Sequence, residues 1–358
     1  MKKEKIIIQC KGAIGDTVVA LPAIWAVREN FPDADLYLLS HEGTKGNLSR
    51  EVLENSKLFK EVLVYKSIHG SSRFLQGLRL LKMVYGLRKY RFDALAYLVL
   101  ATTKPSEVKR DKFLYRLAGI KRFIGMDGFV PVSVKNNGAP LPEMPPQADL
   151  ILERLRVSGL AVPAAGQGRM DLKLQPNEKT EFAAKLSKLT SDGGRKWIGV
   201  SPGTNFASNK WAPERYQEVV SRLIAEFDIW PVVFGGEAEK LLGDQFIKVW
   251  GRGYNLAGQL SVRETAVGLE RCALCLGNDT GAMHLAAAVQ TYCVSIFSSR
   301  QMAGLWYPYT QRKKVFRAKV ECEGCELGEC VVEKMKCILS FGVDEVFQAC
   351  EDILKRVN

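Results

Sequence analysis

Four times along the chain, a short apolar run ends in a turn of glycine and small polar residues, and after the first, second and fourth of these turns a helical pattern follows directly. The runs Lys5 to Cys10, Trp197 to Val200, Ile229 to Phe234 and Cys272 to Leu276 lead into turns at 12–16, 201–210, 235–239 and 278–284. A strand buried on both faces reads as a continuous apolar run, and a helical crossover brings the next strand back parallel to it. The repetition predicts a parallel α/β architecture, with ligands taken beyond the carboxyl ends of the strands where the turns collect.

In the first half, a helix is expected from Thr17 to Asn30, with Val18, Leu21, Ile24 and Val27 on its apolar side and Pro22 in its first turns. Strands are expected at Asp35–Leu39, Leu58–Tyr65 and Phe92–Leu100. Ser72 to Arg91 reads as a basic amphipathic stretch. Arg73, Arg79, Lys82, Arg88, Lys89 and Arg91 oppose Phe74, Leu78, Leu81 and Leu87. A second basic segment carries Lys104, Lys109, Arg110, Lys112 and Arg116. Either these are solvated helix faces, or they form a positive rim for an anionic substrate or membrane surface. Residues 135–180 are rich in proline, glycine and asparagine and read as an interdomain connection, giving domains at 1–168 and 169–358. In the second half, helices are expected at Pro213–Phe227, Val262–Cys272 and Val343–Val357, and a strand at Tyr292–Phe297.

With 358 residues the chain can bury two ordinary cores. Its net charge of +12 points to acidic partners: phosphorylated small molecules, nucleic acid or an anionic membrane. No apolar run approaches the roughly 20 residues of a membrane-spanning helix. Lys11 and Asp16 interrupt the first apolar segment too early for a secretory leader, so a cytoplasmic location is expected. Nine cysteines, an odd number, fit reduced thiols in that compartment.

The turn Asn278-Asp279-Thr280-Gly281-Ala282-Met283-His284 has the residue types favoured at a helix N-cap. The free N–H groups of a helix start, a hydroxyl at Thr280 and a bare backbone at Gly281 suit a phosphate or pyrophosphate. The alternative is an ordinary capped crossover with a buried histidine. In the first turn Gly12 and Gly15 are spaced GxxG, which does not make the dinucleotide fingerprint and speaks against a dehydrogenase.

Taken in order, KGAIGDTVVALPAIWAVRENFPDADLYLL, SPGTNFASNKWAPERYQEVV, VVFGGEAE and LGNDTGAMHLAAA, followed by Trp306, Pro308 and a cysteine cluster, resemble glycosyltransferase family 9, the ADP-heptose:lipopolysaccharide heptosyltransferases. The resemblance covers nearly the whole chain. It implies a GT-B fold: two Rossmann-like parallel α/β domains facing a central cleft, acceptor on the first and nucleotide sugar on the second. It implies inverting transfer of a heptose from an ADP-sugar to a lipopolysaccharide core acceptor, without a metal or other cofactor, by an enzyme peripheral to the inner membrane.

By the same resemblance, Asp16 matches the general base that deprotonates the acceptor hydroxyl, and a carboxylate at a strand-to-helix turn is suited to that work. Lys210 matches the lysine that neutralises the donor's phosphates, although this chain has Lys-Trp where the family commonly has Lys-x-Trp. Ser201 and Thr204 share its loop. Thr280 and Gly281 would contact the pyrophosphate, with Asp279 and His284 near the sugar. Glu239, or Glu237 beside it, is a candidate for the ribose hydroxyls. Gly15, Arg73, Lys104 and Lys109 are candidates for the acceptor side.

Cys322, Cys325, Cys330 and Cys337 could hold zinc or iron, but the second pair lacks the close CxxC spacing of a zinc ribbon, and reduced thiols are the expectation. Acceptor loops vary most, so another nucleotide sugar or glycan acceptor fits the same scaffold. A non-catalytic nucleotide- or nucleic-acid-binding protein is the rival from another class. The basic segments lack the interleaved aromatic platforms of single-strand binders, and nucleic acid is not expected as a partner.

Overall fold

A computed structural model describes residues 3–42, 48–66, 73–132, 141–331 and 333–357. Ser72 and the connecting residues Asn136, Asn137, Gly138 and Pro140 lie outside them, as does the side chain of Arg73. The chain divides into two compact units, one of Met1–Ser133 with Gln147–Lys173 and one of Val134–Pro146 with Leu174–Asn358.

The first unit runs β1 (Lys5–Gln9), α1 (Ile14–Val19), α2 (Leu21–Asn30), β2 (Asp35–Glu42), α3 (Leu48–Leu53), β3 (Glu61–Lys66), α4 (Arg73–Tyr90), β4 (Ala94–Tyr97), α5 (Pro105–Leu117), β5 (Arg122–Ile124) and α6 (Gln147–Val157). Its five strands are parallel, in the order β3-β2-β1-β4-β5. Ile6, Ile7 and Ile8 of β1 have no exposed surface, as a central strand covered on both faces requires. Ile7 pairs with Tyr37 on one side and Leu95 on the other.

The expected helix from Thr17 to Asn30 is two helices that meet at Ala20. Pro22 has no N–H to donate back, and its ring crowds the preceding turn, so it sits at the start of α2 instead of inside a longer helix. The reading of α4 also changes. Phe74, Leu78 and Leu81 are 75%, 48% and 62% exposed, whereas Val84 and Leu87 are buried on the opposite side. The helix is apolar on two faces, so composition did not reveal which face would turn inward.

The second unit runs α7 (Pro176–Leu186), β6 (Trp197–Ser201), α8 (Pro213–Phe227), β7 (Trp230–Val233), α9 (Lys240–Trp250), β8 (Tyr254–Asn255), α10 (Val262–Glu270), β9 (Cys272–Asn278), α11 (Gly281–Ala288), β10 (Tyr292–Phe297), β11 (Lys313–Arg317), α12 (Lys336–Leu339) and α13 (Val343–Arg356). Its six strands are parallel, in the order β11-β10-β9-β6-β7-β8. Trp211, Tyr216 and Phe246 are fully buried in its core.

Both sheets share one topology. Strand order reverses between β1 and β4 in the first unit and between β6 and β9 in the second. At such a reversal the crossovers leave in opposite directions and open a crevice beyond the strand ends, where α/β sheets bind ligands. Among the described residues no helix is long and apolar enough to cross a membrane.

Candidate functional site

Beyond the β1/β4 reversal lies a cavity of about 270 Å³ lined by residues including Gln9, Lys11, Gly12, Asp16, Tyr65, Arg110 and Asp111. Asp16 is the third residue of α1, and its Oδ2 accepts a hydrogen bond from the Ala13 N–H at 2.6 Å, covering one of the free amides at the helix start. Burial pushes the Asp16 carboxyl up to about 6, against the stabilising Ala13 N–H. A carboxylate with that poise accepts a proton near neutrality more readily than an ordinary aspartate. Gly12, at φ +124°, lets the chain pass directly over it. Gly15 is buried one residue before Asp16 and packs within α1.

Asp111 organises the cavity's charge. Its Oδ2 accepts from Lys11 Nζ and from the Tyr97 hydroxyl at 2.8 Å, and its Oδ1 accepts from Arg110 Nε at 3.1 Å and Nη2 at 2.8 Å. Two cations are thereby held at the rim of a cavity that also contains Asp16. Burial, reinforced by the Asp111 charge, drives the Tyr97 hydroxyl far above its ordinary range and keeps it a donor. Gln9, wholly buried at the end of β1, accepts from the Tyr115 hydroxyl through Oε1, while its Nε2 has no partner among the described residues. Lys104 and Lys109 are exposed at and near the start of α5 and are not among the cavity's lining residues, although their neighbours Thr103 and Arg110 are. Sequence reasoning passed over Lys11, Asp111 and Tyr97. Lys11 stands beside the recognised turn, but its partner is a hundred positions away.

At the β6/β9 reversal, the Ser201 and Thr280 hydroxyls lie 3.3 Å apart. Thr280 takes the N-cap position of α11 with extended backbone, and its side chain makes no capping bond. The Thr280 hydroxyl therefore does not cover the first N–H groups of α11. Asn278, with no exposed surface, fixes this turn. Its Oδ1 accepts from the Trp211 N–H at 3.2 Å and the Tyr216 hydroxyl at 2.9 Å, and its Nδ2 donates to the Pro202 carbonyl at 2.7 Å. Trp211 is the buried anchor of the loop that carries Lys210, and Lys210 itself is exposed. The Thr204 hydroxyl accepts from the Phe206 N–H at 3.4 Å in that loop.

Glu239 comes to the same end of the sheet, where its Oε2 accepts from the Gly236 N–H at 2.8 Å. A Cβ on Gly203 would lie 2.6 Å from Glu239 Cδ, so the loop after β6 and the turn after β7 meet at this carboxylate. Glu237 is exposed and pairs with Lys240 at 3.7 Å. His284 is buried, and burial pushes it down to about 4, so its imidazole is neutral at pH 7. Its ring meets that of Trp306 edge-on at 6.2 Å, and its Nδ1 has no partner among the described residues. Trp306 and Asp279 line a small recess with Arg300 and Arg317.

Cys322, Cys325, Cys330 and Cys337 are half-buried free thiols around one narrow cavity. Among the described residues no three His, Cys, Asp or Glu side chains come close enough to hold a metal ion.

Residues 155–336 match the family model described as glycosyltransferase family 9 (heptosyltransferase), a span that includes Ser201, Thr204, Lys210, Glu239 and the 279–284 turn. The chain is 23% identical over 367 aligned positions to lipooligosaccharide heptosyltransferase 2 of Campylobacter jejuni, covering 98% of each protein. Among solved structures, a family 9 glycosyltransferase from Veillonella parvula superposes with a TM-score of 0.73 at 17% identity, covering 99% of this chain and 97% of that one. The E. coli heptosyltransferase WaaC with ADP superposes with a TM-score of 0.65 at 17% identity, covering 98% and 99%. The structural likenesses give the fold, two parallel α/β units of the GT-B class. With more than half of the chain matched by the family model, the protein is a glycosyltransferase belonging to family 9, the heptosyltransferases.

Proposed function

We propose that this enzyme transfers a heptose, or a related sugar, from an ADP-sugar to a lipopolysaccharide core acceptor, with inversion at the anomeric carbon. Asp16 takes the proton of the acceptor hydroxyl as its oxygen attacks the anomeric carbon. The bond from that carbon to the diphosphate breaks, and ADP leaves. Lys210, Ser201, Thr204, Thr280, Gly281 and the start of α11 hold the diphosphate and offset the charge that develops on it. Asp279 and His284 are assigned to the sugar and Glu239 to the ribose. The acceptor is assigned to 1–168 and the donor to 169–358.

The observation that carries this reading is the poise of Asp16. A carboxylate raised to about 6 sits at a topological switch point, in a cavity where Lys11 and Arg110 are both ion-paired to Asp111 and leave Asp16 without a cation of its own among the described residues. No metal cofactor and no nucleic acid partner is assigned. The proposed setting is cytoplasmic, peripheral at the inner face of the membrane. Release of nucleoside diphosphate is measured for ADP-heptose beside a panel of other nucleotide sugars, each with and without a delipidated core oligosaccharide. Acceptor-dependent release from ADP-heptose supports the assignment, and turnover of a different donor alone overturns the heptose.

A further inference from the structure

Helix α4 has two working faces. On the inner side, Leu80 and Met83 line the Asp16 cavity and Val84 and Leu87 are buried beneath it. On the outer side, Phe74, Leu78, Leu81 and Tyr85 are 75%, 48%, 62% and 66% exposed. At 100° per residue these four side chains fall within an arc of about 60°. The same projection puts Arg88 along one border and Lys89 and Lys82 along the other. The helix has no acidic residue. It packs against α5, which also exposes Phe113 and Leu117 beside Lys109 and Arg116.

An isolated exposed leucine is ordinary, but four large apolar side chains in one stripe with cationic borders are not. A helix of 18 residues with this pattern is too short and too charged to span a bilayer, and suits lying in its interface. The charges choose between occupants. A second copy docked stripe to stripe would set Arg88, Lys89 and Lys82 of one helix against the same residues of another, at a cost in repulsion. An anionic lipid surface instead pairs each cation with a headgroup while the stripe enters the acyl boundary.

We propose that the outer face of α4 is a docking surface for an anionic lipid bilayer, and that docking keeps the Asp16 cavity, lined by the same helix's inner side, within a helix's thickness of the membrane from which a lipid-linked acceptor projects. The binding stands independently of sugar chemistry. The link to the acceptor rests on reading the Asp16 cavity as the acceptor site.

The full-length protein is sedimented with phosphatidylethanolamine vesicles containing one third phosphatidylglycerol, and with neutral phosphatidylcholine vesicles. Preference for the anionic vesicles by about tenfold or more, weakened by salt, is expected. The triple variant Phe74→Ser/Leu81→Ser/Tyr85→Ser and the pair Arg88→Glu/Lys89→Glu each lose most of that binding. Both keep the wild-type melting temperature and the wild-type turnover of a delipidated acceptor, while turnover of a vesicle-embedded acceptor falls by about tenfold or more. Wild-type protein without anionic preference, or variants that bind as well as wild type, overturn the proposal. A wild-type dimer by light scattering that the triple variant dissociates also overturns it, by assigning the face to a second copy. Absence of turnover with every acceptor defeats the proposed reaction and leaves the vesicle result to decide the surface.

Discussion

A Cβ placed on Gly12 would lie 1.8 Å from Oδ2 of Asp16. The carboxylate fills the space that any other residue's side chain would need, and at φ +124° the backbone of Gly12 is one that L side chains rarely adopt. Gly12→Ala is therefore expected to displace Asp16 from its bond to the Ala13 N–H and to cost roughly 1–3 kcal/mol in stability. Turnover is expected to fall by at least tenfold, while ADP affinity, which the proposed function assigns to the second unit, stays within twofold. Thermal melts, steady-state kinetics and titration calorimetry read the three effects separately.

Asp16 gives a pH signature in two directions. Its folded-state value of about 6 lies above the unfolded value near 4, so its protonated form favours folding. That contribution is fully present below about pH 4 and is lost as pH rises through about 6. Asp16→Asn removes the buried charge and is expected to raise stability at pH 7.5 by roughly 1–2 kcal/mol, discounted for its partial exposure, with the gain fading toward pH 4. Activity runs the other way: a base must be ionised, so wild-type kcat/KM falls as pH drops through about 6. Melting curves and pH–rate profiles from pH 4 to 8 check both.

Asn278 ties three pieces of the second unit together through Trp211, Tyr216 and Pro202. Asn278→Ala leaves two donors and a carbonyl unpaired in the core and is expected to cost on the order of 3–5 kcal/mol. Because the Trp211 bond also sets the Lys210 loop, ADP affinity falls with it. Denaturant titration and calorimetry on the same preparation test the coupling.

Lys210 is exposed, so its loss is expected to leave stability unchanged within about 0.5 kcal/mol. With Lys210 assigned to the diphosphate by the proposed function, Lys210→Ala is expected to weaken transition-state stabilisation and lower kcat by about tenfold to a hundredfold. Lys210→Arg restores part of it, because the charge is kept while its reach changes. Kinetics on the three proteins at constant ionic strength provide the comparison.

Most strands and their turns were legible because buried parallel strands and helix starts leave local patterns; the edge strands β5, β8 and β11 were not, being short or largely polar. Pro213 opens α8 and Phe227 closes it where the sequence places them, and Tyr292–Phe297 forms a strand throughout. Strand order was not legible, since no local pattern states which strand lies beside β1, and the switch points follow from that order alone. The same limit hid Asp111, whose partners Lys11 and Tyr97 come from other segments of the fold. Helix α4 misled for a different reason: Phe74, Leu78 and Leu81 share a face as the periodicity indicates, but Val84 and Leu87 compete for the inward position and win it. His284 was recognised in its motif, whereas its burial against Trp306 depends on a segment beyond β10.

The central claim is that Asp16 is the base for sugar transfer. The direct measurement is acceptor-dependent release of ADP from ADP-heptose by wild type and Asp16→Ala, with donor affinity determined on both proteins. Loss of turnover by about a hundredfold or more at unchanged donor affinity is the predicted result. An Asp16→Ala enzyme that keeps wild-type turnover would contradict the assignment of the base while leaving the family membership intact.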